Sequence, residues 1–388
     1  NAPNERARLE ALVRFGKFFA GTLFDAYGGV FAPEKYFNPD AAPRKKRPLR
    51  VGAPEIHDFV TSDGVRLRLT RYRGGSKGPL LMVHGAGVSS GIFSTDLIDT
   101  NMLEYLYAQQ YDCWLFDFRV SIALEASKGQ SNGDQIASID HPEAVAYVLK
   151  ATGATSLQAM VHCYGSNTFF MAMLAGLKGV RSIVCSQIAT NLKTATLTRV
   201  KSMIHTPEIL EALGVKSLTA YTSTHSNWRQ KLIDDALRLY PVGKDEACRN
   251  PVCHRITFLY ALLYEHQQLD EHIHDNVHEL FGAGNITTFE HLALMVRREE
   301  VVSATGANVY LPHLDRLALP IRFLHGAENA CYLPVSTEIT LDLLSKANGA
   351  KYYDRHVIPG YGHIDCIFGK NAVRDVYPLV LEHLEATL

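Results

Sequence analysis

Four short, nearly unbroken apolar runs punctuate the first half of this chain: Pro79–His84, Tyr111–Phe116, Ser156–His162 and Ser182–Ser186. A run that is apolar at every position, rather than at alternate ones, belongs to a strand covered on both faces. Helical stretches lie between the runs, for example His141–Thr152 and Thr168–Leu177. Strands separated by helices pair in parallel through right-handed crossovers, and the product is a doubly wound, mostly parallel α/β sheet. Ahead of these runs, Asp58–Thr61 and Val65–Arg71 flank Asp63-Gly64, which predicts a hairpin. Strand signals resume only at Ile321–His325 and Tyr352–Ile358, and a last helix is expected over Ala372–Leu384.

The gap between those two sets of strands is informative. From Asn191 to Leu319 the pattern is helical, with breaks at Gly214, Pro241, Pro251 and Gly282-Ala283-Gly284. A helical block between two strands of one sheet predicts a lid inserted before the penultimate strand, at the edge where α/β enzymes build their substrate sites. The expected organisation is an arm and linker (1–50), a first part of the sheet domain (51–190), the lid (191–319) and a second part (320–388). Within the arm, Leu12–Phe31 predicts a helix docked on the body, and Arg44-Lys45-Lys46-Arg47, between two prolines, reads as a solvated linker.

The chemistry centres on Val161-His162-Cys163-Tyr164-Gly165-Ser166, between a strand and a helix. An α/β-hydrolase sets its nucleophile on such a turn, as Gly-x-Ser-x-Gly. Here the middle residue is Cys163, the second glycine is Gly165, and Val161 replaces the first. A cysteine at a helix N-terminus is favoured as a thiolate. His363, in Gly360-Tyr361-Gly362-His363 after the last strand, stands where the fold carries its general base. His325-Gly326-Ala327-Glu328-Asn329 stands where it carries an aspartate; Asn329 is expected to orient His363 by accepting its N–H, with Glu328 as the alternative. His84-Gly85-Ala86-Gly87 matches an oxyanion loop, so the backbone N–H groups of Ala86 and Tyr164 are the expected donors.

Taken together, His84–Gly87, the Cys163 turn, Gly326–Asn329 and Gly360–Lys370 resemble the α/β-hydrolase domain that some bacteria carry fused behind a cholesterol-oxidase-like flavoenzyme of the GMC type. More distantly the layout is similar to acid lipases, which use a serine nucleophile and an aspartate. The resemblance runs from about Phe15 to the C-terminus. It implies acyl chemistry on a lipophilic substrate, and association with or fusion to a flavin oxidoreductase as a partner. No cofactor is expected in this chain, because a Gly-x-Gly-x-x-Gly loop after an N-terminal strand is absent.

Other residues weigh against competing functions. The net charge of −1 gives no field for nucleic acid, and no run approaches the ~18 apolar residues of a membrane span. Seven scattered cysteines suit a reducing, cytoplasmic setting rather than a disulfide framework. No metal is expected: His274 and His278 lack the intervening glutamate of a zinc helix, and Cys248 and Cys253-His254 have poor zinc-finger spacing and no second pair. Cys331 and Cys366, near Asn329 and His363, are read as buried packing. Three functions stay open: an esterase or thioesterase working through a Cys163 thioester, an acyltransferase or cyclase that passes the acyl group to an alcohol or amine, and a degenerate docking domain of an oxidase system.

Overall fold

In the computed structural model, the described residues are 37–195, 217–220, 223–225, 248 and 250–388. The helix expected over Leu12–Phe31 and a large part of the insertion lie outside them. Eight strands form one sheet: β1 (Glu55–Val60), β2 (Arg66–Arg73), β3 (Lys77–Val83), β4 (Tyr111–Asp117), β5 (Leu157–His162), β6 (Val180–Ser186), β7 (Ile321–Gly326) and β8 (Tyr353–Ile358). Their spatial order is β1-β2-β4-β3-β5-β6-β7-β8, with β1–β2 and β2–β4 antiparallel and every later pair parallel. The doubly wound, mostly parallel sheet read from the sequence is therefore present.

Burial explains the run patterns. Every residue of β4, β5 and β7 is buried, whereas β1 alternates half-buried and exposed positions, as an edge strand open on one face must. Helices α1 (Met102–Ala108), α2 (His141–Thr152) and α3 (Cys163–Ala175) fill crossovers of the first half. α1 is fixed at its start by a capping box between Asn101 and Glu104, and α2 ends on Gly153 in the left-handed conformation. α3 begins at Cys163 itself, five residues before the helix expected from the sequence, so the chain leaves β5 and enters the helix with no loop. The close packing this needs is visible at Gly165, where a Cβ would lie 2.0 Å from the His84 carbonyl oxygen. Val161, in place of the usual first glycine, pairs with Val83 and Cys185 within the sheet and is fully buried, so a side chain there is simply core.

Among the described residues, the chain leaves the sheet after β6 and returns at β7. Its described parts include α4 (Pro251–Leu259), α5 (Glu271–Asp275) and α6 (Ile286–Arg298). The Gly282–Gly284 break is not a plain loop, because Ala283–Asn285 pairs antiparallel with Ser217–Thr219. α7 (Val335–Asn348) crosses from β7 to β8, and α8 (Tyr377–Ala386) closes the chain. The expected single last helix is split at Val376, just before Pro378, whose missing N–H suits only a helix's first turn.

The basic linker is not freely solvated. Arg44 makes paired hydrogen bonds to Asp96 (2.6 and 2.7 Å) and to Glu279 (2.8 and 2.9 Å), joining the sheet domain to the insertion. Arg47 grips the buried carboxylate of Glu104 (2.7 and 2.8 Å). Two-oxygen contacts of this kind suit the planar guanidinium, which explains why the arginines of the cluster are docked. Among the described residues no helix is long and apolar enough to cross a membrane.

Candidate active site

Four parallel strands deliver the candidate residues to one edge of the sheet: β3 ends in His84-Gly85-Ala86, β5 in Cys163, β7 in Asn329 and β8 in the loop carrying His363. The carboxyl edge of a parallel sheet is where such crevices form. Cys163 has φ +55°, a left-handed conformation unusual for a residue with a side chain, which marks a strained turn held by its surroundings. The loop after β3 is anchored from β4. Asp117 accepts from the Ser90 N–H (2.8 Å) and from the hydroxyls of Ser90 (2.7 Å) and Ser121 (2.6 Å), and its carboxylate lies 3.7 Å from His84 Nε2.

The N–H groups of Ala86 and Tyr164, the two expected donors, both draw the Cys163 thiol down. Cys163 keeps part of its surface open, yet the atoms packed around its sulfur push the thiol up to about 12; burial outweighs the two N–H groups, which pull the other way. Cys163 is therefore a neutral thiol, not the partly ionised one expected from its place at a helix end. His363 is buried and held well below the usual imidazole value, first by burial and then by His162 and His325. His162 itself, its ring centroid 5.0 Å from that of His363, is lowered to about 3 by burial and by His84. One ring nitrogen each of His162 and His363 and the Cys163 sulfur lie within 4.8 Å of one another, and His363 Nε2 makes no hydrogen bond.

The two candidates for the third member separate clearly. Glu328 is exposed, because the tight turn Asn329 N–H to Gly326 carbonyl (3.2 Å) sends successive side chains to opposite sides. Asn329 is buried, and its amide nitrogen lies 3.0 Å from His363 Nδ1. The hydrogen bond runs opposite to the expected direction. The Asn329 oxygen accepts from the N–H groups of Cys331 and Tyr332 (both 2.9 Å), and turning the amide over would set its NH₂ against those two donors. The nitrogen therefore faces two acceptors, Gln187 Oε1 (2.9 Å) and His363 Nδ1. Gln187 Oε1 is fixed in turn by the Gly326 N–H (3.1 Å). With Nδ1 accepting, the proton of the neutral imidazole sits on Nε2.

Three residues of this site escaped the sequence reading. Gln187 has φ +83° directly after β6, and only the strand boundary pointed to it. His162 is adjacent to the nucleophile but looked like strand core. Tyr260, from the insertion, brings a buried hydroxyl without a hydrogen-bond partner against the loop after β3, where a Cβ on Gly87 would sit 1.7 Å from it.

The insertion is tied to the histidine loop. The Leu263 carbonyl accepts from the N–H groups of His363 (3.0 Å) and Ile364 (2.8 Å), while Asp365 Oδ2 accepts from those of Gly362 (2.9 Å) and Glu265 (3.1 Å). Burial nevertheless pushes the Asp365 carboxyl up to about 7, and its other oxygen has no partner. A carboxyl whose folded value lies above the unfolded value of about 4 lends stability that is full below that value and is lost as pH rises through about 7. Asp365→Asn keeps an oxygen for both N–H groups and cannot ionise. Its Tm relative to the unmodified protein should thus climb between pH 5 and pH 8, and a difference independent of pH would contradict this account.

His274 and His278 do not form a pair. His278 packs against Phe37 in a tilted arrangement (5.1 Å between ring centroids), whereas His274 Nε2 lies 3.1 Å from the Cys253 sulfur. Cys331 and Cys366 are both buried.

A model of the α/β-hydrolase fold family matches residues 78–214, which span β3 to the start of the insertion. A lipase of Caenorhabditis elegans, lipl-1, is 23% identical, covering 89% of this chain and 93% of its own length. Among solved structures, an α/β hydrolase of a Penicillium species, GrgF, superposes with a TM-score of 0.52 at 14% identity, covering 86% of this chain and 99% of its own. An esterase of Pyrococcus furiosus does so with a TM-score of 0.50 at 13% identity, covering 91% and 98%. Together with the strand order and the strained turn at Cys163, these likenesses establish that the chain has the α/β-hydrolase fold.

Proposed function

We propose that the protein is an acyl hydrolase of esterase or lipase type, acting through a thioester acyl-enzyme on Cys163 with a lipophilic acyl group. The observation that carries this reading is the convergence of the Ala86 and Tyr164 N–H groups on the sulfur of a residue held in a strained turn. Fixed donors at that point stabilise charge developing on a carbonyl oxygen attacked by the sulfur, each by roughly 10²–10³ in rate. The thiol loses its proton to solvent, and the thiolate is met by the His363 Nε2–H. The sulfur bonds to the carbonyl carbon, the oxyanion collapses, and the alcohol leaves with a proton from water. Water then cleaves the thioester. The lipase and esterase among its relatives support acyl hydrolysis, and the insertion serves as the lid that brings Tyr260 over the site. Association with a flavin oxidoreductase rests on sequence resemblance alone.

The direction of the Asn329 hydrogen bond favours a second reading. An imidazole that already carries its proton on Nε2 gives little help to an attacking water, which needs a base. An amine attacks with its own lone pair. A long-lived thioester therefore suits transfer or cyclisation onto an amine.

Mixing the protein with a p-nitrophenyl ester of a medium-chain acid separates these readings. Hydrolysis or transfer predicts a burst of about one equivalent of p-nitrophenol and an intact mass raised by one acyl group, both absent from Cys163→Ala. Excess primary amine should raise the steady-state rate at least about tenfold if transfer is the function, and leave it unchanged if hydrolysis is. A docking domain predicts neither burst nor adduct, and equal turnover by Cys163→Ala would refute the whole reading.

A further inference from the structure

A second cluster of chemically active side chains lies in the insertion, apart from Cys163. It joins Cys248, Cys253 near the start of α4, His266 in the turn that follows, and His274 in α5. One donor atom from each lies within 4.8 Å of all the others. His274 Nε2 is 3.1 Å from the Cys253 sulfur, and the rings of His266 and His274 meet edge to face with centroids 5.0 Å apart. Tetrahedral zinc with two sulfurs at about 2.3 Å and two nitrogens at about 2.0–2.1 Å sets its ligand atoms roughly 3.3–3.8 Å apart, so only small side-chain adjustments separate this cluster from a closed site.

We propose that Cys248, Cys253, His266 and His274 bind one zinc ion as a structural Cys₂His₂ site in the insertion.

The chemistry of the donors selects the metal. Two thiolates and two imidazoles neutralise a divalent charge and supply the soft set that zinc takes, whereas magnesium and calcium require oxygens. The surroundings orient the ligands as an outer shell does. His254 Nε2 donates to the Cys248 carbonyl (2.8 Å), the Asn250 amide donates to the His274 carbonyl (2.8 Å), and Asp275 lies 3.7 Å from His274 Nδ1, on the ring edge away from the cluster.

The sequence carries the matching signal, Cys248-x4-Cys253-x12-His266-x7-His274. Its first two intervals fall within the zinc-finger pattern, and only the last is longer than usual. It is missed when His274 is paired with His278 instead of His266.

The ion would join α4, the His266 turn and α5 into one unit, and that unit shapes the active site. Tyr260 follows α4 directly, and Leu263 to Gln268 bind the His363 loop, including Gln268 Nε2 to the Gly360 carbonyl (2.8 Å). Zinc here is a staple that sets the wall of the pocket and takes no part in the reaction.

The test is metal analysis of the full chain purified without chelator, followed by cobalt(II) titration of the reduced, zinc-stripped protein. The expected results are about one zinc per chain and, with cobalt, a thiolate charge-transfer band with the strong visible bands of a tetrahedral site. Cys248→Ser/Cys253→Ser should lose both, and Cys163→Ala should keep both, which separates this site from the His162–Cys163–His363 group. Stripping should also lower the Tm, and zinc should restore it. Because the cobalt spectrum is read on the unmodified chain, a double variant that fails to fold leaves the test intact. Less than a tenth of an equivalent of zinc with no cobalt bands, a Cys248–Cys253 disulfide in a chain that binds no cobalt after reduction, or zinc retained by the double variant would each overturn the proposal.

Discussion

Cys163→Ser should abolish the acyl burst and lower kcat/KM for an activated ester by about 10³-fold or more. Serine usually fills this position, so the substitution is conservative in shape, and the donors at Ala86 and Tyr164 stay in place. What changes is the demand on the base. A thiol, even one pushed up to about 12, is more acidic than a hydroxyl and reaches a small thiolate fraction without help, whereas a hydroxyl attacks only when a base removes its proton as the bond forms. His363 cannot do this while its Nε2 carries a proton, and the Asn329 amide, fixed by the N–H groups of Cys331 and Tyr332, keeps it there. Substituting an amide for the carboxylate of a catalytic triad costs about 10⁴-fold for the same reason. A serine variant within tenfold of the unmodified enzyme would mean that His363 accepts at Nε2, and the tautomer deduced from Asn329 would be wrong.

Much of the fold was legible because continuous apolar runs and their terminal glycines are local. β4 and β5 lie within a residue of their expected limits, and α2 matches at both ends. Boundaries drifted where tertiary contacts decide. α3 starts at Cys163 because Gly165 lets the helix press on β3, a constraint that no propensity expresses. At the site, the order of Cys163, Asn329 and His363 along the chain was readable, but the behaviour of each was not. The thiol's neutrality comes from atoms packed around it, and the direction of the Asn329–His363 bond comes from two N–H groups after Asn329 and from Gln187 across the sheet. Glu328 and Asn329, adjacent in sequence, were separable only once the turn between them showed which one points inward. The zinc-ligand set was present in the sequence, but its four residues gain meaning only when α4 and α5 bring them together.

The same geometry makes Asn329→Asp the substitution with the largest expected gain. One carboxylate oxygen would keep the N–H groups of Cys331 and Tyr332, and the other would replace the NH₂ facing His363. His363 Nδ1 would then hold the proton, Nε2 would turn its lone pair toward Cys163, and the negative charge would stabilise an imidazolium. An opposite charge at such range moves a pKa by about 1–3 units. His363 should rise, and the Cys163 thiol, now at about 12, should fall by a comparable amount through the pairing of thiolate with imidazolium. The rate of iodoacetamide alkylation at Cys163, followed against pH, reads this directly: a steady climb into the alkaline range should become a plateau at lower pH. The gain has a structural cost, because Gln187 Oε1, 2.9 Å from the present amide, would face an oxygen. Gln187 Oε1 still accepts from the Gly326 N–H, but losing its hydrogen bond from the amide costs about 1 kcal/mol, so the Tm should drop even as reactivity increases. An unchanged alkylation profile in a folded Asn329→Asp protein would show that Asn329 does not govern His363. The decisive comparison is the pair of substitutions together. If tautomer control is the reason that this site uses a thiol, Asn329→Asp should return most of the activity that Cys163→Ser removes. Two effects that merely add would place the control elsewhere.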